Sequence, residues 1–248
     1  MGFRALRSAY RRDGVPTTSV RTSGVGANGD RLYGYVVSLL RLDGADGATT
    51  FTDDRGVAWA RNSTPAIDTA QSRFGGSSLE FNGSGQQLYT PYSSSFDFGS
   101  GDFCLEGWMR RSTTAAHAMF NKRTSGANGW AFGCYDDGRL AFRGKINGAW
   151  SDLWAVSAVG AVTVGNWHHV AVARDGSTLR TFIDGAVGGS SAVSGALNDQ
   201  SVPLRIGTAD QSAEWQMYGH LDMLRVTKGH PRYTGAFTVP QAAFPIET

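Results

Sequence analysis

Beyond its first 34 residues, the chain is a series of short runs in which apolar and polar residues alternate, separated by Gly, Asp, Asn and Ser. Within residues 103–109, Phe103 and Leu105 fall on one side of an extended strand, and Glu106 and Trp108 fall on the other. No helical segment of about 10–15 residues alternates with these runs, which argues against an α/β fold. The pattern predicts about a dozen strands, at residues 36–42, 77–82, 87–89, 103–110, 117–122, 130–135, 139–146, 153–157, 168–174, 178–183, 202–207 and 219–226.

The sequence between these runs predicts tight turns. The pairs at 137–138, 175–176 and 184–185 are all Asp-Gly, and glycine adopts the positive φ that short hairpin turns need. Many short strands joined in this way indicate an antiparallel meander or jelly roll. We therefore predict an all-β fold, a two-sheet antiparallel jelly-roll sandwich.

One carboxylate interrupts the apolar pattern of the last predicted strand. Strict alternation places Asp222 on the same side as Leu224 and Val226. A carboxylate on an apolar side needs a partner, because burying it unpaired is costly. Asp222 is therefore expected to have a specific role.

The first 34 residues differ from the rest and predict a basic N-terminal arm (1–34) in front of the sandwich (35–248). Residues 1–35 carry a net charge of +4 and the remainder −2. The arm suits docking into a neighbouring subunit, although a terminus that docks nowhere is the alternative. Its candidate docking residues are an apolar set at helical spacing and the arginines between them: Phe3, Leu6 and Tyr10 with Arg4, Arg7, Arg11 and Arg12.

Composition narrows the possible classes of protein. Glycine supplies 33 of the 248 residues, nearly twice its usual share of about 7%, which argues against a helical bundle. The net charge of +2 is too small to imply nucleic acid as a partner of the whole chain. We expect no membrane span and no secretory signal, because no apolar run is long enough. Two cysteines permit at most one cross-strand disulfide.

Motifs for catalysis are missing from the sequence. Paired carboxylates on one strand of a glycosidase would stand at i and i+2, and no Asp or Glu pair does so. There is no G-x-S-x-G motif. The match to G-x-G-x-x-G at residues 24–29 precedes a strand rather than the helix that a dinucleotide site needs. We expect no enzymatic activity, with a glycoside hydrolase as the remote alternative.

Several segments taken together resemble the laminin-G-like group of concanavalin A-like jelly rolls, and they occur in the order of that family. The resemblance runs from about residue 35 to residue 244 and implies a lectin-like sandwich. The segments that carry it are LLRLDG (39–44), FTDDRG (51–56), FGGSSLEFNG (74–83), GDFCLEGW (101–108), NWHHVAVARDG (166–176), TFIDG (181–185) and HLDMLRV (220–226).

The C-terminal sequence resembles the ending of such domains in structural proteins of tailed bacteriophages. Residues 225–240 read RVTKGHPRYTGAFTVP. Tyr233, Phe237 and Phe244 are spaced as apolar anchors, and prolines in this segment favour an extended path. The resemblance implies a virion protein, tail- or capsid-associated, that is assembled in the host cytoplasm. Its partners would be other virion proteins, with a homo-oligomer as a further option.

The resemblance also implies a cofactor. Members of this family often hold calcium near the rim of the sandwich, and Asp43 and Asp222 stand where such acidic ligands tend to occur. Calcium takes about 6–8 oxygen ligands from carboxylates, carbonyls and water. Asp222 could instead accept backbone N–H groups or pair with an arginine.

Exposed aromatic residues near loops are the candidate ligand contacts, since sugar rings stack on aromatic faces. The candidates are Trp150, Trp215 and Tyr218. The sequence thus favours a virion protein that is anchored by its arm and displays a lectin-like sandwich, for attachment to a host-surface glycan or for particle stabilisation. A free-standing carbohydrate-binding module is the alternative.

Overall fold

Residues 29–124, 128–208 and 215–246 are described by the computed structural model, with the backbone alone for 149–153. In this part of the chain, no helix is long and apolar enough to cross a membrane. Two short 3₁₀ turns are present, Tyr33–Tyr35 and Ser94–Phe96. The strands are β1 (Val36–Leu40), β2 (Ala60–Asn62), β3 (Ala66–Asp68), β4 (Ser78–Asn82), β5 (Gln87–Thr90), β6 (Phe103–Arg111), β7 (His117–Thr124), β8 (Asn128–Cys134), β9 (Leu140–Ile146), β10 (Ala149–Trp154), β11 (His168–Asp175), β12 (Thr178–Ile183), β13 (Ala186–Ala192), β14 (Leu204–Ile206) and β15 (Tyr218–Lys228).

The strands form two antiparallel sheets, as the sequence predicts. The first sheet has the order β13-β12-β11-β6-β15-β4-β3, and β1 also pairs with β15. The second has the order β10-β9-β8-β7-β14-β5-β2. About half of the neighbours in these orders are strands that are not consecutive in sequence, among them β11-β6, β6-β15, β15-β4 and β7-β14, which is the arrangement of a jelly roll rather than of a simple meander.

The core lies between the two sheets and is rich in aromatic side chains. Phe98 stacks on Phe103 with their ring centroids 4.5 Å apart, and Trp130 lies 5.3 Å from Phe98. Cys104 and Cys134 are buried and unbridged, in β6 and β8 respectively. The possible disulfide is therefore not formed.

Three strands escaped the sequence pattern, namely β2, β3 and β13. The first two have only three residues each, which is too short to show alternation. Strand β13 has the sequence AVGGSSA and lies at a sheet edge without a buried residue. Strands of this kind are defined by their neighbours rather than by their own side chains.

The sequence predicts that the sandwich begins at residue 35, but residues just before this boundary already pack on it. Asp30 forms ion pairs with Arg225 and Arg232, and Tyr33 is buried. Residues 29–34 therefore pack on the sandwich. The candidate docking residues of the arm lie outside the described residues: Phe3, Arg4, Leu6, Arg7, Tyr10, Arg11 and Arg12.

A β-bulge in β15 corrects the predicted position of Asp222. The register with β6 shifts between Asp222 and Arg225, and Met223 at the bulge has φ +50°. Asp222 therefore lies opposite Trp108, on the outer side of the first sheet. The inward side is occupied by Leu224 and Val226. The prediction that Asp222 shares their side was wrong, because the extra residue of a bulge reverses the alternation.

The outer side of the first sheet is covered by the C-terminal segment (229–246). Tyr233 and Phe237 stack with centroids 3.5 Å apart, and both contact Phe182. Phe244 is buried against the ring of His169 and the guanidinium of Arg225. The three residues predicted as anchors thus pack on the sheet.

A buried ion network lies beneath this segment, centred on Glu106. Its carboxylate accepts hydrogen bonds from Arg225 Nε (2.8 Å) and the Tyr233 hydroxyl (2.8 Å), and His169 Nε2 lies 3.2 Å away. Arg232 lies 3.7 Å from the same carboxylate. Burial favours the neutral acid, but Arg225 and His169 outweigh it and hold the pKa of Glu106 far below its usual range.

Replacing this carboxylate should be strongly destabilising. We expect Glu106→Gln to lower the free energy of unfolding by about 3–5 kcal/mol at pH 7, because Arg225 loses a buried countercharge. The folded pKa is lowered, so the contribution is present at neutral pH and is lost only as pH falls through that low value. Denaturant unfolding measures the loss. The control is Glu80→Gln, since Glu80 is exposed on β4 of the same sheet. A Glu106→Gln protein as stable as this control would contradict the prediction.

Candidate functional site

Two of the three predicted ligand-contact residues lie in one surface depression, where the segment 215–217 enters β15. The depression has a volume of about 400 Å³, within the range of about 300–1,000 Å³ that is usual for small-molecule sites. Trp215 lies three residues before Tyr218, and both contribute to the wall. The described lining residues are Gly83, Thr113, Ala115, Ala116, Trp215, Gln216 and Tyr218.

The indole of Trp215 is held by neighbours on the second sheet. Its ring meets the Tyr135 ring edge to face, with centroids 4.4 Å apart. The Arg143 guanidinium lies 4.5 Å from the indole centroid, in cation–π range. The side chain is only partly exposed, so its position is set before any ligand arrives.

The wall of this depression is fastened by backbone hydrogen bonds. Ala118 N–H donates to the Trp215 carbonyl (3.0 Å), and Ser112 N–H donates to the Tyr218 carbonyl (2.8 Å). The Gln216 side-chain oxygen accepts from Gly85 N–H (2.6 Å). The aromatic pair therefore stands on a frame tied to the loops that follow β4 and β6.

A histidine that the sequence analysis did not single out supports the same frame. His117 is buried, with Nε2 3.2 Å from the Thr113 carbonyl. Its Nδ1 lies 3.0 Å from the Gln216 carbonyl and 3.2 Å from the Tyr218 backbone nitrogen. Burial lowers the pKa of His117 and favours the neutral ring that can accept from Tyr218. A lone histidine at the start of a predicted strand gives no sign of this role, because its partners come from distant segments.

The third predicted residue, Trp150, lies elsewhere in the fold. Its backbone is in β10 and pairs with Lys145 in β9. Strand β10 forms an edge of the second sheet. The Trp150 side chain is outside the described part of the chain, so its role as a ligand contact stays a prediction.

The two predicted metal ligands also come together, at a loop formed by residues 73–76. Asp222 Oδ2 accepts hydrogen bonds from Arg73 N–H (2.8 Å) and Phe74 N–H (3.0 Å). Asp43 packs against Gly75, where an added Cβ would lie 1.7 Å from Asp43 Oδ1. Both carboxylates therefore contact the same loop.

Burial disfavours the charged forms of both Asp43 and Asp222. Asp222 is fully buried, and its Oδ1 has no hydrogen-bond partner among the described residues. Burial raises the pKa of Asp222 to about 7, with a smaller contribution from Asp43. Burial likewise raises the pKa of Asp43. A cation between the carboxylates would remove both penalties.

Asp222 Oδ2 accepts two backbone N–H groups, which is the alternative that the sequence left open, and calcium at Asp43 and Asp222 stays a prediction. No group of three or more His, Cys, Asp and Glu side chains that could hold a metal is found among the described residues, which argues against a transition-metal site. Calcium needs fewer side chains, since carbonyls and waters complete its shell. Asp43 and Asp222 would hold the ion, which would stabilise the loop.

A family model describes much of this fold. Residues 82–230 match the model of the concanavalin A-like lectin/glucanases superfamily, laminin-G type. The match covers more than half of the chain and contains most strands of both sheets. The chain belongs to the concanavalin A-like lectin/glucanase superfamily. No curated protein matches it by sequence.

Solved structures of this superfamily's fold include binding domains. The binding domain of Paraclostridial Mosquitocidal Protein 1 is similar with a TM-score of 0.63 and 16% identity, over 84% of this chain and 50% of that one. Domain 4 of AbnA, a GH43 extracellular arabinanase from Geobacillus stearothermophilus, was solved in complex with arabinotriose. It is similar to this chain with a TM-score of 0.57 and 15% identity, over 78% of this chain and 92% of that one.

The binding domain of Botulinum Neurotoxin DC in complex with SialylT is also similar, with a TM-score of 0.55 and 12% identity, over 79% of this chain and 48% of that one. The chain thus spans about half the length of the two toxin domains. At these identities the likeness shows a shared fold.

Calcium at this lectin-like sandwich should be measurable as thermal stability. We expect Ca²⁺ to raise the thermal unfolding midpoint of EDTA-treated protein, because a bound ion at a hundredfold excess over its dissociation constant adds about 2.7 kcal/mol to the free energy of unfolding. Asp222→Asn should abolish the rise, because it removes a buried ligand charge. Asp175→Asn, at a partly exposed position at the end of β11, is the control and should keep it. An unchanged midpoint of the wild type in millimolar Ca²⁺ would contradict the assignment.

Proposed function

We propose that the chain is a non-enzymatic carbohydrate-binding domain that holds a sugar at the depression of Trp215 and Tyr218. The aromatic pair carries this proposal. A sugar ring presents an apolar C–H face, which stacks on aromatic rings, and hydroxyls, which bond to polar side chains. Gln216 and Thr113 line the same depression and supply the polar groups.

The fixed frame of the depression supports this proposal. The indole lies between Tyr135 and Arg143, and backbone bonds hold the carbonyls of Trp215 and Tyr218. A site that is formed before the ligand arrives loses less conformational entropy on binding. The similar AbnA domain was solved in complex with arabinotriose, and the neurotoxin domain in complex with SialylT.

The lining of the depression supports a binding role over hydrolysis. None of its described lining residues is Asp or Glu, whereas glycoside hydrolysis uses a pair of carboxyl groups about 5–10 Å apart. Of the two fully buried carboxylates, Glu106 is occupied by Arg225, His169 and Tyr233 beneath the C-terminal segment, and Asp222 accepts the backbone N–H groups of residues 73 and 74. We therefore assign no catalytic residue.

We further propose that this lectin-like sandwich is part of a bacteriophage virion, tail- or capsid-associated, and attaches the particle to a host-surface glycan. The resemblance of residues 225–240 to phage structural proteins supports this role, as does the basic composition of residues 1–34. Other virion proteins would hold the arm. The competing hypothesis is a free-standing carbohydrate-binding module.

Truncating the exposed tyrosine should weaken sugar binding. After a glycan array has identified a bound bacterial glycan, we expect Tyr218→Ala to lower the affinity about three- to tenfold, from the loss of one stacking contact. Titration calorimetry measures the change. Tyr35→Ala is the matched control, because Tyr35 is 47% exposed and Tyr218 44%. Equal affinities of the two variants, or an array without signal, would argue against the site.

Removing the arm should separate anchoring from binding. We expect a chain starting at residue 29 to keep the melting temperature and glycan affinity of the full chain, because it retains the Asp30 ion pairs. Its incorporation into virus particles should be lost, as measured by immunoblot of purified particles. A full-length chain with Arg4, Arg7, Arg11 and Arg12 changed to Gln should also lose incorporation if the positive charges of the arm are what the other virion proteins bind. Normal incorporation of the truncated chain would refute the docking role.

A further inference from the structure

One buried histidine connects both walls of the depression of Trp215 and Tyr218. His117 is the first residue of β7 and is fully buried. Its ring reaches Thr113 in the loop after β6, and Gln216 and Tyr218 where the chain enters β15. All three of these residues line the depression, whereas His117 is not among its described lining residues. The protonation state of this ring therefore affects the shape of the site without a contact to a bound sugar.

The two ring nitrogens have different surroundings. Nε2 lies 3.2 Å from the Thr113 carbonyl, which can only accept, so we place a hydrogen on Nε2. Nδ1 lies 3.0 Å from the Gln216 carbonyl oxygen and 3.2 Å from the Tyr218 backbone nitrogen. The first of these groups needs a donor and the second an acceptor, so Nδ1 serves only one of them at a time.

The charge of the ring decides which of the two groups Nδ1 serves. In the neutral ring with its hydrogen on Nε2, Nδ1 carries a lone pair and accepts from Tyr218 N–H. A protonated ring carries hydrogen on both nitrogens, so Nδ1 then donates to the Gln216 carbonyl and Tyr218 N–H faces another N–H group. The other neutral tautomer is disfavoured, because it places a lone pair of Nε2 against the Thr113 carbonyl. Uptake of one proton thus moves the hydrogen bond of Nδ1 from residue 218 to residue 216.

The surroundings of His117 favour the neutral ring at neutral pH. Burial lowers the pKa of His117, the two carbonyls oppose this, and the Arg111 guanidinium at the end of β6 adds to the lowering. Cys134 lies opposite His117 in β8, and burial raises the pKa of its thiol to about 12, with a smaller contribution from the acidic turn 136–137. The loop after β6 brings no titratable side chain, and the segment entering β15 brings the Tyr218 phenol. The proton is therefore taken up only in acid.

We propose that His117 is a proton switch of this depression, whose neutral ring holds Tyr218 in the binding position and whose protonated ring binds the Gln216 carbonyl instead. Sugar binding weakens in acid, because Tyr218 N–H loses its acceptor and the backbone that carries both aromatic residues shifts. The inference rests on the proposed function in one respect, that the depression binds a sugar. It adds regulation by pH through a positioning residue.

The first test needs no sugar. Nuclear magnetic resonance follows the His117 ring and the Tyr218 amide of the full chain from about pH 7.5 to about pH 4.5. We expect both resonances to shift with one midpoint, because proton uptake removes the acceptor of that amide. The Arg73 amide donates to Asp222, whose pKa of about 7 lies in the same range, and should follow Asp222 instead. A ring that stays neutral throughout, or a Tyr218 amide that does not follow it, overturns the switch.

The second test measures binding to a printed array of bacterial glycans at about pH 7.5 and about pH 5. We expect the affinity of the wild type to fall about three- to tenfold in acid. His117→Gln should show no fall, since glutamine offers a donor and an acceptor but takes up no proton. His168→Gln is the control and should keep the fall, because His168 contacts Asp184 and Thr163 rather than the depression.

The two tests separate the possible failures. Binding that does not change with pH, or an equal fall in wild type and His117→Gln, overturns the switch and leaves the proposed sugar binding intact. An array without signal at either pH contradicts the proposed function, and the Tyr218 amide then decides on the switch alone. If His117→Gln does not fold, the shared midpoint of the two wild-type resonances supports the switch, and separate midpoints overturn it.

Discussion

The buried carboxylate of Glu106 is the constraint on which the arrangement of this sandwich depends. A charge without solvent needs several partners, and here they come from separate parts of the chain. Arg225 is in β15, His169 is in β11, and Tyr233 is in the C-terminal segment. Arg225 and Arg232 then hold Asp30 near the other end of the described chain. One carboxylate thus joins three strands and both terminal segments on the outer side of the first sheet.

Because of this network, the outer sides of the two sheets differ in how accessible they are to a ligand. Because the C-terminal segment covers the outer side of the first sheet, that surface is unavailable to a ligand. Among the described residues, no segment covers the second sheet over β2 and β5, and a depression lies there whose described lining residues are Arg61, Asn62, Gln87, Tyr89, Pro203 and Arg205. Trp215 likewise lies over Arg143 of β9. The binding hypotheses therefore concern the sheet that the ion network leaves accessible, together with the adjoining loops.

The sequence predicted the sandwich well where each strand carries its own alternation. Strand β12 has the predicted bounds, and β6 differs from its prediction by one residue. The face of Asp222 was missed because the bulge at Met223 depends on pairing with β6, which no local pattern records. The short β2 and the Gly-Ser-rich β13 were missed for the same reason: their neighbours define them.

The two depressions illustrate the same limit at the level of the site. Trp215 could be proposed from the sequence because Glu214 and Gln216 flank it, and Tyr218 because it lies near a loop. The depression of Arg61, Gln87 and Arg205 could not, because each residue comes from a different strand and none stands in a motif. Spatial convergence of distant residues becomes visible only when the strand order and register are known.

The calcium candidate and the Glu106 network are parts of one packed surface. The loop that holds Asp222 places Phe74 against Trp108, with centroids 5.7 Å apart, and the Arg73 guanidinium lies 4.1 Å from the Trp108 centroid. Trp108 in turn packs against His169, 5.4 Å away, and His169 contacts Glu106. The unsatisfied charge of Asp222 is therefore held in place by the same packing that buries Glu106. That side of the sandwich also keeps Asp43 near enough to Asp222 for its charge to contribute to the raised pKa of Asp222.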